Sequence, residues 1–313
     1  MLTPLQIALK MYVRQRMSFQ DMRKTVDNRR GKKANGQDKG GILHDITILP
    51  KDVKNLELIS QNAKEQEGVI EDMIKECLKN FPIWNEWLKN VKGIGTIGAG
   101  WCLAEFDIEK ATTVSKMWQY AGYNPSMVIG KKRVEKGKYK NEMGEIIEEI
   151  HSKKNGVNSI SYVVLTNTEI RGDKQTPGFL RPYNKRLRTA LYGTVACAFL
   201  KAVGSEYGKI YYNFYVPEKY RKDQAEMKKR PDLAGRFGVY DISEKVTREM
   251  KAGGKIEYKP WKDCTKAHRS AAAIRKMMKQ FLTDLYVNWR TIDGLPVRPP
   301  YSEEKLGHVH SGK

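Results

Sequence analysis

Apolar residues recur at threes and fours over several long stretches, and this periodicity limits the chain more than any other feature. Over residues 50–88, Val53, Leu56, Ile59, Ala63, Val69, Met73, Ile74 and Cys77 keep that spacing, which places them on one side of a helix. Glu65, Glu67, Glu71, Asp72 and Glu76 make the same stretch locally acidic. It reads as a long amphipathic helix that packs on another helix or on a second copy. Residues 1–27 carry a dense apolar set that includes Leu5, Leu9, Val13, Met17 and Met22. Ser18 is placed to cap a second helix there, with Asp21 three residues on. Helical periodicity returns over 183–215 and 265–292, and a polar helix followed by a loop is expected over 217–262.

Two stretches break the pattern. Residues 28–41, NRRGKKANGQDKGG, read as a solvated basic loop. The segment after it fits a short strand or part of a helix–loop–helix. Residues 127–181 change character more sharply. Six of the ten residues 131–140 are Lys or Arg, and NSISYVVLTNTEIRG has strand composition. A small β insertion is expected there. No internal repeat is present. The chain thus reads as mainly α in three regions: a helical region over 1–80, a helical domain over 81–216 with a basic β insertion, and a basic loop, helix and extended tail over 217–313.

Charge narrows the function. The 313 residues hold 57 Lys and Arg against 36 Asp and Glu, a net charge of +21. Self-repulsion on that scale is relieved by a polyanion, and nucleic acid is the obvious one, since each neutralised phosphate releases condensed counterions. No apolar run approaches a bilayer span, the N-terminus lacks the apolar core of a signal peptide, and no basic amphipathic helix carries a bulky apolar face. A membrane partner is therefore not expected, and a cytoplasmic, nucleoid-associated location is. The four cysteines, Cys77, Cys102, Cys197 and Cys264, form no CxxC pair and read as small buried hydrophobes. His308 and His310, with His268 and Cys264 nearby in sequence, could be called a metal cluster, but the pair reads as part of a polar tail, and neither a metal nor another cofactor is expected.

The segment most informative about chemistry is IWNEWLKNVKGIGTIGAGWCLAEF, residues 83–106. A helix ends at Asn90, a tight turn runs through Val91-Lys92-Gly93-Ile94-Gly95, and a second helix starts near Thr96. Gly93 and Gly95 permit a positive φ and a close approach. Ile94 plugs the core, and Gly98, Ala99 and Gly100 let the two helices cross closely. The turn's N–H groups sit at a helix N-terminus, where an anion is favoured, and Lys89 and Lys92 flank it. This is a helix-hairpin-helix pattern, suited to contact with DNA backbone rather than base edges. The spacing fits neither a dinucleotide-binding glycine fingerprint nor a P-loop. Trp84 and Trp87 are expected to pack in the core. Arg181, Lys185, Arg186 and Arg188, with Lys131, Lys132 and Arg133, form a second set of candidate phosphate contacts.

The run from Leu88 to Pro125 resembles the C-terminal domain of the transposase family of insertion sequences 110, 116 and 902. The matching features are Gly93-Ile94-Gly95, Leu103-Ala104-Glu105 and Ser115 to Pro125, ending Tyr120-Ala121-Gly122-Tyr123-Asn124-Pro125. Residues 184–192, NKRLRTALY, and 207–215 match two later segments of the family. The resemblance implies a DNA-binding, helix-hairpin-helix-containing domain and guide-RNA contact. In the family an N-terminal RNase H-like domain holds four acidic metal ligands, and the C-terminal domain supplies a nucleophilic serine. Residues 1–80 are too short and too helical for the first. The position expected for the serine falls at Ile129 or Gly130, and the nearest serine is Ser126. The expected protein therefore grips DNA and lacks strand-transfer chemistry of its own. The alternatives are a divergent recombinase with Ser126 as nucleophile and Mg²⁺ held by a partner nuclease domain, or a structured-RNA-binding protein. A homo-oligomer stays open.

Overall fold

The computed structural model describes residues 2–29, 50–154, 157–215, 246–250 and 256–298. Most of the expected basic loop at 28–41, the segment after it, the helix expected over 217–230 and the tail with His308 and His310 lie outside the described residues. The architecture is mainly α with a small antiparallel sheet of three strands. No described helix is long and apolar enough to cross a membrane. The chain divides into two compact units: residues 1–90 with 94–107, and residues 91–93 with 108–313. The expected region 81–216 is shared between them.

The first unit is built on α1 (Pro4–Arg29) and α2 (Pro50–Leu78). A reciprocal cap starts α1: Gln6 N–H donates to Thr3 Oγ1 at 3.2 Å, and Thr3 N–H donates to Gln6 Oε1 at 3.0 Å. α1 runs on without a break through Ser18, whose hydroxyl donates back to Arg14 O at 3.2 Å instead of starting a second helix. The acidic stretch of α2 finds its partners on α1. Arg16 Nη2 lies 2.8 Å from Glu71, Arg23 Nε lies 2.6 Å from Glu67, and Ser60 Oγ donates to Asp27 at 2.7 Å. The residue numbers fall on one helix as they rise on the other, so the pair is antiparallel.

α3 (Pro82–Glu86) and a 3₁₀ turn over Leu88–Asn90 lead to α4 (Thr96–Glu105), which is buried from Gly98 to Glu105. A Cβ on Gly100 would stand 3.0 Å from Val13 and 3.2 Å from Ile74. The close approach that this glycine permits is therefore to α1 and α2, not to the helix before the turn. Cys102 is fully buried on α4, and desolvation pushes its thiol up to about 12, so it stays protonated and packs as an apolar group.

The second unit is organised around α9 (Lys266–Ile292). Thr265 caps it by accepting from His268 N–H. Ala273, Ile274, Met277, Met278, Phe281, Leu282, Leu285, Tyr286 and Trp289 are buried along its length at helical spacing. Phe281 meets the rings of Phe199 and Tyr207 at 5.1 and 5.3 Å. Those rings come from α7 (Cys197–Lys201) and α8 (Glu206–Tyr215). α6 (Lys185–Ala190) precedes α7 across a π-helical turn over Leu191–Ala196. Arg290 is buried and donates to three carbonyls, those of Ile108, Ala111 and Pro296.

The β insertion follows α5 (Val114–Tyr120). Its strands β1 (Met127–Glu135), β2 (Glu145–Lys154) and β3 (Val157–Arg171) form an antiparallel sheet in the order β1-β3-β2. A further strand pair, β4 (Val246–Met250) and β5 (Ile256–Pro260), stands where a loop was expected. IEYKP does alternate apolar and charged residues from Ile256 to Lys259, a signal too short to stand out from the polar, glycine-containing sequence around it. In the first unit, Gly100→Val is expected to lower stability by about 1–3 kcal/mol through overpacking. Urea unfolding followed by circular dichroism reads this directly.

Candidate nucleic-acid interface

Only part of the glycine turn has the geometry that the sequence suggests. Gly93 has φ +104°, but its inner side is filled: an added Cβ would stand 3.0 Å from both Ala202 and Phe199. This glycine is needed for packing and for backbone conformation together. Gly95 differs from the expectation of a positive φ. It is the N-cap of α4 at φ −91°, in open space, a conformation that any residue adopts. Ile94 is buried, while Lys89 and Lys92 are exposed and Thr96 is half-buried. The turn therefore offers the exposed Gly95 backbone and two lysines, and Gly98 behind it is buried.

The second set of basic residues is better organised, though not as a continuous patch. On β1, Lys131 and Arg133 are exposed at alternate positions. Lys132 lies between them, and its ammonium sits 4.5 Å from the centre of the Phe179 ring, a cation held by an aromatic face. Leu180 N–H donates to Lys131 O at 2.7 Å, which lays the 179–182 segment beside β1. Lys131 and Arg181 consequently line one cleft of about 210 Å³, with Ile129 and Ile170 among its apolar walls. Gln119 also lines the cleft and ties its surroundings together, its carboxamide N–H₂ donating to Gly172 O and Pro182 O at 3.2 Å. A bulge follows Ile129. A Cβ on Gly130 would lie 2.5 Å from Phe179, so only glycine lets that ring close on the strand.

α6 divides its basic residues in the same way. Asn184 caps the helix by accepting from Leu187 N–H at 3.1 Å. Lys185 and Arg186 are exposed. Arg188 is turned inward, 4.7 Å from the Tyr183 ring, and donates to Asp173 O at 2.6 Å.

Asp173 is a residue that sequence reasoning missed. Its side chain is 2% exposed, it takes two hydrogen bonds from Arg171 at 3.0 and 2.9 Å, and it lies 3.6 Å from Arg275. Burial, then the neighbouring Arg275, holds the Lys279 ammonium below the usual lysine range, and it lies 4.4 Å from the Trp118 ring. The available signal was the Arg-x-Asp run at 171–173 together with Arg275 and Lys279, which fall one helical turn apart.

Ser126 is exposed, and its hydroxyl donates to Asn124 Oδ1 at 2.8 Å. Ser126 O accepts from Gly172 N–H at 3.0 Å. This is the local turn chemistry of an Asn-x-Ser segment. The acceptor is a carboxamide, which cannot take the hydroxyl proton as a general base would. Among the described residues no three of His, Cys, Asp or Glu are grouped to hold a metal.

The fold and this surface define a mainly α, strongly basic protein whose exposed cations frame a cleft beside a small sheet. The chain matches no protein-family model, no curated protein and no solved structure.

The two glycines of the turn separate packing from binding. Gly93→Ala is expected to lose about 1–3 kcal/mol of stability, since it combines a strained φ with a close contact. Gly95→Ala is expected to cost less, about 0.5–1 kcal/mol, the difference between a glycine and an alanine N-cap. Thermal unfolding of the two variants checks the difference.

Proposed function

We propose that this chain is a DNA-binding protein related to the C-terminal part of a mobile-element transposase, and that its second unit grips the phosphate backbone at the cleft beside β1. The observation that carries this reading is the pairing of Lys131 with Arg181. They are far apart in sequence, yet the Leu180–Lys131 backbone hydrogen bond brings them to one opening. Exposed Arg133, Lys185 and Arg186 belong to the same unit. Contacts of this kind position a backbone and carry no sequence information of their own. Lys89, Lys92 and the backbone at Gly95 and Thr96 are a second proposed contact, through the helix-hairpin-helix pattern, with Gly98 buried behind them.

Lys131→Ala and Arg181→Ala should each reduce the slope of log affinity against log salt by about 0.9 on duplex DNA. Lys132→Ala and Arg188→Ala should leave that slope unchanged, because those cations are held against Phe179, Tyr183 and Asp173. Fluorescence anisotropy across a salt titration reads both outcomes, and equal slopes for wild type and Lys131→Ala would remove the cleft from the interface. The same titration with structured RNA tests the alternative ligand, which offers the same phosphates.

A second reading, a recombinase acting with a partner nuclease domain, draws on the bond between Ser126 O and Gly172 N–H. That bond sets the serine backbone against Gly172, the residue between the paired Arg171 and Asp173. The preferred reading expects the isolated protein neither to nick nor to join duplex DNA, with or without Mg²⁺. It also expects Ser126→Ala to bind as wild type does. Cleavage lost in Ser126→Ala, or an adduct mapped to Ser126, would establish the recombinase instead.

A further inference from the structure

The three-stranded sheet has two outer strands, and they differ. The backbone of β1 is engaged by the 179–182 segment through Leu180 and Lys131. Among the described residues, the backbone of β2 is hydrogen-bonded to β3 alone. Every described side chain of β2 is exposed except the half-buried Ile150. Ile146 and Ile147 are 40% and 41% exposed. An open edge of this length is a template for another strand.

Proteins often guard such an edge with charge, and a guard of one sign repels a second copy in every orientation. β2 is charged, but its signs are segregated. Glu145, Glu148 and Glu149 occupy the first half, and His151, Lys153 and Lys154 the second. Two copies side by side in parallel would set acid against acid and base against base. Two copies antiparallel would set acid against base at both ends of the contact. Opposite charges directly across a strand pair are favourable and like charges are not.

We propose that β2 is a homodimer interface, formed by antiparallel pairing of β2 with β2 of a second copy about a two-fold axis. The axis lies at His151. That register sets Glu149 opposite Lys153 of the second copy and Glu148 opposite Lys154, and repeats both pairs by symmetry. It uses only the part of β2 after the bulge, Glu148–Lys154, where pairing with β3 is regular. The product is a continuous sheet of six strands.

The test is a charge swap on the full chain, freed of nucleic acid and followed by sedimentation velocity across a concentration series. Wild type is expected to reach twice the monomer mass as concentration rises. The variant Glu148→Lys/Glu149→Lys removes both acids from the 148–154 contact and should be monomeric. The variant Lys153→Glu/Lys154→Glu makes it wholly acidic and should also be monomeric. An equimolar mixture of the two should restore the dimer, which rules out misfolding as the cause of the monomers. Wild type that stays monomeric throughout, a dimer undiminished in either variant, or a mixture that fails to associate would each overturn the proposal. The outcome is independent of the nucleic-acid reading, because the cleft at Lys131 and Arg181 lies on the other side of the sheet order.

Discussion

Buried carboxylates are what allow so basic a chain to pack. Each compact unit brings cations together and places an acid among them. In the first unit Glu105, 1% exposed at its side chain, lies 2.9 Å from Lys10 and 3.0 Å from Arg14, while Glu67 takes Arg16 and Arg23. In the second unit Asp173 holds Arg171 and Arg275. Removing the cations would leave each buried carboxylate without compensation, while the cations themselves reach solvent, Arg14 and Arg171 being 43% and 42% exposed at the side chain, and are partly screened there. These three acids therefore hold their surrounding segments in one arrangement, whatever the net gain of each pair over an apolar substitute.

The same constraint decides which cations remain for a ligand. Aromatic faces and backbone carbonyls take up a further group: Lys132 on Phe179, Arg188 on Tyr183 and Asp173 O, Lys279 on Trp118, and Arg290 on three carbonyls. A cation held in this way is partly desolvated and fixed, and turning it toward a phosphate would forfeit those contacts. Of the candidate phosphate contacts, Lys89, Lys92, Lys131, Arg133, Lys185 and Arg186 remain exposed, as does Arg181, whose guanidinium lies 5.7 Å from the Tyr183 ring.

Glu105 shows how a motif can be visible while its role is not. Leu103-Ala104-Glu105 stands out as an acidic segment shortly after the glycine turn. In the structure it closes the C-terminal end of α4, where Gln6 of α1 donates to the carbonyls of Leu103 and Phe106 at 3.0 Å. An acid with two cations around it and a neighbouring pair of capped carbonyls is a packing device of the first unit. Gly93 makes the same point, since its glycine serves the contact with Phe199 and Ala202.

The helices were legible because their information is local. Spacing at threes and fours marked α9 and the presence of α2, but the buried stripe of α2 runs through Ala63, Glu67, Ile70, Ile74 and Cys77, while Val53, Ile59, Val69 and Met73 of the expected face are exposed. Thr265 marked the start of α9, and the end of the 3₁₀ turn at Asn90 and the start of α4 at Thr96 fell where the glycine turn placed them. The β insertion was legible from composition, though β4 and β5 were not, since two five-residue strands amid polar, glycine-containing sequence give too short a pattern. The sequence also determined that a large positive charge must be accommodated. Only the tertiary structure decided how. Asp173 meets Arg275, Lys131 meets Arg181, and Gly100 meets Val13 and Ile74 across separations that no local pattern spans. Whether a charged side chain faces solvent or is consumed inside depends on those long-range neighbours, because desolvation and Coulomb attraction act through space and not along the chain.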